Sequence, residues 1–266
     1  METLSLYLCY LGISVRSQMQ YRVSFVIRTL AHFVICGIEF LGLAVLFQRF
    51  GQIDGWSLAE VGLFYGMISM AFAIAEAVAR GFDIMGRLIR SGDFDRLLLR
   101  PRGTAFQVLA QELQLLRVGR FAQALLVLLW SVQALGLAWT SSRIALLLLA
   151  IVGGACLFSG LFVLQGTLCF WTIESLEIVN CATYGGVGAG QFPLTIYRPW
   201  FRHIFTFLIP VATINYFPAH AILGRVDSLG STLLVQWLSP FAGFVFLMAS
   251  LRVWRIGVRR YTSTGN

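Results

Sequence analysis

The chain has 266 residues, of which 58% are hydrophobic and only 12% charged, and its mean hydropathy is +0.78. A soluble domain carries roughly 25% charged residues, so a globule in water is excluded and lipid is the expected solvent. The net charge of +8 comes wholly from arginine, since no lysine is present; the arginines cluster at the ends of apolar runs, which marks membrane topology and gives no reason to expect a nucleic-acid partner.

A hydrocarbon core about 30 Å thick takes about 20 apolar residues as helix. Residues 1–22 interleave Leu4, Leu6, Leu8 and Leu11 with Ser5, Ser14, Arg16 and Gln18, the pattern of an amphipathic helix lying in the interface. They lack the compact apolar core of a cleavable signal peptide. The first span is expected from about Val23 to Phe47, with Glu39 inside it, and the second from about Leu58 to Ala79, with Glu76 near its inner end.

Residues 80–117 then form an arginine island. From Arg80 to Arg120 there are eight arginines against Asp83, Asp93, Asp95 and Glu112, so the segment belongs in water on the cytoplasmic side. Thr104 to Leu116 reads as a short amphipathic helix. A third span follows to about Ala138, and a fourth from about Ile144 to Phe170. The glycine cluster Gly185, Gly186, Gly188 and Gly190 argues against a straight helix and is expected in a flexible cytoplasmic connection. The fifth span should begin near Phe201 and run to about Tyr216, interrupted by Pro210. The residues 217–232, with Pro218, should be an outer, partly re-entrant segment, because freed carbonyls at membrane depth need protein or water around them. The sixth span is expected from about Leu233 to Leu251, followed by a basic tail with Arg252, Arg255, Arg259 and Arg260. Both termini then lie inside. Arg198 and Arg202 are assigned inside with the island, and only Arg49, Arg143 and Arg225 face out. The fold class is all-α integral membrane, a single domain over residues 1–266 with six transmembrane helices.

Chemistry-bearing clusters are few. The histidines His32, His203 and His220 are far apart, and the five cysteines match no zinc or redox spacing. No metal site is expected. There is no H-E-x-x-H, G-x-S-x-G or G-x-x-x-x-G-K-[ST], so neither catalysis nor direct ATP binding is expected. Glu39 is the sharpest anomaly, because a mid-span carboxylate is a functional-site hypothesis by default. It is either a residue of a translocation path or a structural carboxyl. Glu76 is expected to pair with Arg80 one turn on, and Glu174 and Glu177 to lie at a solvated helix end. Within the island, Leu97, Leu98 and Leu99 beside alternating charges suit a helix pressed into a partner's cleft.

The stretch Gly92-Asp93-Phe94-Asp95-Arg96-Leu97-Leu98-Leu99-Arg100-Pro101 resembles the G-x-x-D-x-x-L-x-R-P loop of a branch of ABC-2 family permeases, the membrane subunits of ABC exporters. Phe192-Pro193-Leu194-Thr195-Ile196-Tyr197, then Phe207 to Pro210, then Asn215-Tyr216-Phe217-Pro218-Ala219 to Arg225 is similar to that branch's second signature, with Phe192 in place of a tyrosine. Arg260 to Gly265 is similar to its ending. The resemblance implies a permease half in the bacterial cytoplasmic membrane, with short re-entrant helices before the last span. It implies that Gly92, Asp93, Asp95, Arg96, Leu98, Arg100 and Pro101 couple to a cytoplasmic ATP-binding subunit present in two copies. ATP and Mg would be bound by that partner and not by this chain. It also implies a second permease, paralogous or identical, and an outer gate around Pro210, Asn215, Tyr216 and Pro218. The cargo would be hydrophobic or amphipathic. The rivals are an ion-coupled secondary transporter using Glu39 and a non-transporting membrane scaffold.

Overall fold

The computed structural model describes residues 12–13, 15–112, 114–172 and 176–263. Most of the expected interfacial helix, and Glu174, fall outside them; residues 15–19 are helical and a turn at 20–21 separates them from the first span. The described residues fold as helices joined by turns, with one isolated bridge between Ile53 and Trp56. Among the described residues, five helices are long and apolar enough to cross a bilayer, or six if the bent pair Pro199–Leu208 and Val211–Leu223 is one span.

The spans are α1 (Arg22–Phe50), α2 (Leu58–Ala79), α6 (Val118–Ala134), α7 (Ser141–Leu168) and α13 (Phe241–Arg259). Between α2 and α6 lie a tight 3₁₀ turn (Arg80–Ile84) and the short helices α3 (Met85–Arg90), α4 (Asp93–Leu98) and α5 (Thr104–Gln111). Ser57 starts α2 with a reciprocal cap: its hydroxyl accepts from the Glu60 N–H, and the Glu60 carboxylate accepts from the Ser57 N–H at 2.8 Å, satisfying two otherwise orphaned donors. Thr140 caps α7 through the Arg143 N–H. The helices α2 and α7 are buried along most of their length and form the centre of the bundle, whereas α1 and α13 are exposed over most of theirs. That exposure is the arrangement of helices that face lipid or a second subunit.

Four expectations are corrected. The glycine-rich stretch is a continuous helix, α8 (Leu176–Gly190), packed on α2 and α7. Two of its four clustered glycines are contact surfaces: a Cβ at Gly190 would meet Ile68 and Val211, and one at Gly186 would meet Val211, Phe205 and Phe158. The middle of α8 lies beside the Arg80 end of α2, where Tyr184 meets Arg80 and Phe72, and its last residue, Gly190, lies beside Ile68 halfway along α2. At fifteen residues it is not among the five long spans, but the chain runs from Tyr184 beside Arg80 at one end of α2 to Thr195 beside Trp56 at the other.

The expected fifth span is instead a re-entrant hairpin. The helix α9 (Pro199–His203) and its wider-wound continuation Ile204–Leu208 are bent by 73° against α10 (Val211–Ile214) and α11 (Tyr216–Leu223). Both flanks of this hairpin meet the same outer turn. Trp56 donates to Thr195 Oγ1 at 3.3 Å, its ring lies 5.3 Å from His220, and Arg225 pairs with Glu60 at 3.2 Å. Arg198 and Arg202 consequently sit at the end opposite the arginine island. The bend falls at Pro210, which cannot donate to a helical ladder.

The last span starts later than expected. Ser239 and Pro240 break the apolar run, leaving a short α12 (Leu233–Leu238) at the outer side and carrying α13 down through Arg252, Arg255 and Arg259. The amphipathic stretch before α6 is also shorter, since α5 ends at Gln111.

Candidate functional site

The arginine island is a folded loop fixed to the spans at two places. The first is Glu76, fully buried in the last turn of α2. Its carboxylate pairs with Arg80 at 3.4 Å, Arg117 at 3.3 Å and Arg120 at 3.0 Å. Arg80 opens the loop, and Arg117 and Arg120 close it, so one carboxylate staples both ends. The arginines are themselves held. Arg80 also pairs with Asp83 at 2.6 Å and donates to the Tyr184 hydroxyl of α8 at 2.9 Å. The guanidinium of Arg120 stacks 5.1 Å from the Phe72 ring, and that of Arg80 lies 5.6 Å from Phe162. The expected Glu76–Arg80 pair is thus present within a larger cluster. The sequence signal for the rest was Arg117 and Arg120 three residues apart at the start of an apolar run, facing an acid at the end of the preceding run.

The second attachment is aromatic. Phe94 of α4 is fully buried, with ring centroids 5.3 Å from Phe170, 6.3 Å from Trp254 and 5.0 Å from Tyr261. Phe82 meets Trp254 at 5.1 Å. The loop therefore rests on the inner ends of both α7 and α13. Inside the loop, Gln107 is buried and donates to the carbonyls of Leu97 at 3.1 Å and Arg102 at 2.9 Å.

These attachments sort the predicted coupling residues. Gly92 adopts φ 71°, a left-handed turn that favours glycine, at the start of α4. Asp93 accepts from Ser91 at 2.7 Å and pairs with Arg96 at 3.3 Å. Asp95 is half-buried and accepts from Ser263 at 2.6 Å, a tie from the loop to the end of the chain that sequence reading missed. Leu97 points inward, so the expected three-leucine ridge is two: Leu98 is exposed, Leu99 is 86% exposed, and Arg96, Arg100 and Pro101 are exposed beside them.

The residues expected at an outer gate lie together on the bent hairpin. Asn215, buried, donates to the carbonyls of Phe64 on α2 and Gly190 on α8. Tyr216, also buried, donates to Asp227 at 2.7 Å. Asp227 further accepts from the Leu229 N–H at 2.9 Å and the Ser231 N–H at 3.1 Å. Burial pushes the Asp227 carboxyl up, but hydrogen bonds from Ser231, Leu229 and Tyr216 outweigh it and hold its pKa below the ordinary value. Pro218 is buried in α11, and Pro210 sits at the bend. The hairpin thereby caps the outer ends of α2 and α8.

Glu39 is exposed on α1 and has no ion pair among the described residues. No group of three or more potential metal ligands occurs among them.

A family model described as ABC-2 family transporter protein matches residues 33–265. No curated protein and no solved structure matches the chain. The matched stretch takes in the span with Glu39, the stapled loop, the outer hairpin and the aromatic end of the last helix. Membrane subunits of this family carry out transport, generally in partnership with ATP-binding subunits. With the match spanning nearly its whole length, this multi-pass membrane chain belongs to the ABC-2 family of transporter proteins.

Proposed function

We propose that the chain is the permease half of an ATP-driven exporter that moves a hydrophobic or amphipathic compound outward across the bacterial cytoplasmic membrane. Two permease halves, identical or paralogous, would enclose the path, and two ATP-binding subunits would grip their inner loops. ATP and Mg would reside in those subunits.

The observation that carries this reading is the build of the loop. Its exposed tip offers Leu98, Leu99, Arg96 and Arg100 to the cytoplasm, while its two ends are stapled to one buried carboxylate. A push on the tip is delivered to α2 and α6 through Glu76, and to α7 and α13 through Phe94. A ligand moves an equilibrium only by its differential affinity for two states; here ATP binding by the partner supplies that difference, and the loop transmits it. The outer knot of Asn215 and Tyr216 would be the opposite gate. Exposed Glu39 supports a place on the path between two halves, because a mid-membrane carboxylate facing lipid alone is costly.

The test is to purify the chain together with the products of its neighbouring genes and ask whether an ATP-binding subunit comes with it. Leu99→Asp with Arg100→Glu should cut the association at least tenfold, the order lost when a central interface anchor is replaced by a repelling charge. Undiminished association would remove the tip from the docking surface. Transport that stops with uncouplers and ignores loss of the ATPase would favour ion coupling through Glu39.

A further inference from the structure

A second inner-side feature lies outside the coupling tip and the outer knot. A cleft of about 510 Å³ opens between α2, α7 and α13, and its floor is α5 of the inner loop. Its walls include Val78, Val163, Leu247 and Leu251; the floor includes Phe106 and Leu109. The floor is tied to one wall, since Trp254 Nε1 donates to Thr104 Oγ1 at 3.0 Å.

Arg255 is the single charged residue that lines the cleft. Gly257, two residues on, packs against Thr167 and Phe170 at the end of α7 that carries the loop, which brings Arg255 to the headgroup boundary on that side. Arg252, Arg255 and Arg259 are three and four residues apart, so they share one flank of α13, and all three are exposed. None has an ion pair among the described residues. An apolar cleft at this depth offers nothing to water, and it is flanked by guanidinium groups that match phosphate oxygens in pairs.

We propose that this cleft holds an acyl chain of an anionic phospholipid from the inner leaflet, with Arg255 on its phosphate. The occupant is fixed by charge complementarity: the walls take hydrocarbon and the only cation takes the headgroup. Because the floor belongs to the loop proposed to meet the ATPase, the lipid wedges the loop against the spans. Loop position, and with it ATPase coupling, then depends on anionic lipid. The consequence for coupling rests on the proposed function, but the lipid site itself uses only the inner placement of the loop and is tested by binding alone.

The full-length chain is placed in nanodiscs containing phosphatidylglycerol and phosphatidylcholine of equal chain length, and retained lipid is measured by native mass spectrometry. Phosphatidylglycerol should be retained in preference. Arg255→Gln should reduce that preference about fivefold, the size of one arginine's contribution at an anionic surface. Ala105→Phe from the floor and Ser159→Leu from the wall should each displace the lipid by filling the cleft; Ser159→Leu guards against distortion of the loop by the first. Equal retention of the two lipids by the native chain overturns the proposal, as does an unchanged preference in Arg255→Gln. So does lipid retained in both filling variants when their melting temperatures match the native chain. If dodecyl phosphate added from water binds and phosphatidylglycerol does not compete with it, the occupant is a soluble amphiphile and the phospholipid assignment fails.

Discussion

Glu39 and Glu76 are the same residue type in neighbouring spans, and their surroundings give them opposite roles. Glu76 is fully buried among three arginines that are 14–19% exposed. Taking such a group out of water is costly, and that cost is offset only because the countercharges are already positioned. Glu39 has no such partner and is exposed on the outer face of α1. Glu76 is therefore a positioning residue, and its removal should be felt more through the orphaned arginines than through the lost carboxylate. Glu76→Gln leaves Arg117 and Arg120 half-desolvated without a countercharge, at a cost of about 3–5 kcal/mol by analogy with broken buried pairs. Thermal unfolding in detergent checks this, with Glu39→Gln as the comparison, for which no such loss is expected. Equal melting of Glu76→Gln and the native chain would mean that the staple does not hold the loop.

At the scale of elements, glycine decides how closely helices approach. Where α7 crosses α13, a Cβ on Gly243 would collide with the Gly153 carbonyl oxygen, and one on Gly160 would meet Phe246 and Ser250. Small residues at such crossings let backbones touch, which is the main source of helix association in lipid. Gly185 on α8 faces open space. Gly243→Leu should therefore destabilise the bundle by about 1–3 kcal/mol, as overpacking does, while Gly185→Leu should be neutral or raise helix stability by up to about 1 kcal/mol. Unfolding of the two variants side by side checks the contrast, and a tolerated Gly243→Leu would deny the close crossing. The same residues show where sequence reading fails. The spans with unbroken apolar runs, such as Leu58–Ala79, were legible to the residue because length and hydropathy set them. α8 was not, because in isolation four glycines in six positions weaken a helix, and only the folded contacts reveal that Gly186 and Gly190 are packing surfaces. Inner-loop burial was half legible: the charge pattern located the loop, but Leu97, Leu98 and Leu99 look alike in sequence, and only the turn at Gly92 fixes which of them points in.

At the scale of the whole molecule, the two ends are built differently. The inner end is an arginine loop fixed by ion pairs and aromatic rings; the outer end is a bent hairpin fixed by hydrogen bonds from Asn215, Tyr216 and Trp56. The charge rule could place the arginine-rich loops but could not separate a broken span from a re-entrant one, because both read as ten or so apolar residues beside a proline. Moving Arg198 and Arg202 to the end opposite the island still leaves the island and the arginines of the last helix together on one side, which supports the proposed orientation. The hairpin makes this placement open to a direct measurement. In a background lacking the native cysteines, Arg198→Cys should react with a membrane-impermeant maleimide added to intact cells, as should Ser228→Cys. Leu99→Cys should react only after permeabilisation. A six-passage chain in which residues 199–223 cross the bilayer would reverse the result at position 198 and leave the other two unchanged. Labelling of Arg198→Cys from the cytoplasm alone would thus dismantle the re-entrant hairpin while sparing the inner loop, whereas outside labelling of Leu99→Cys would overturn the orientation from which the coupling role of that loop follows.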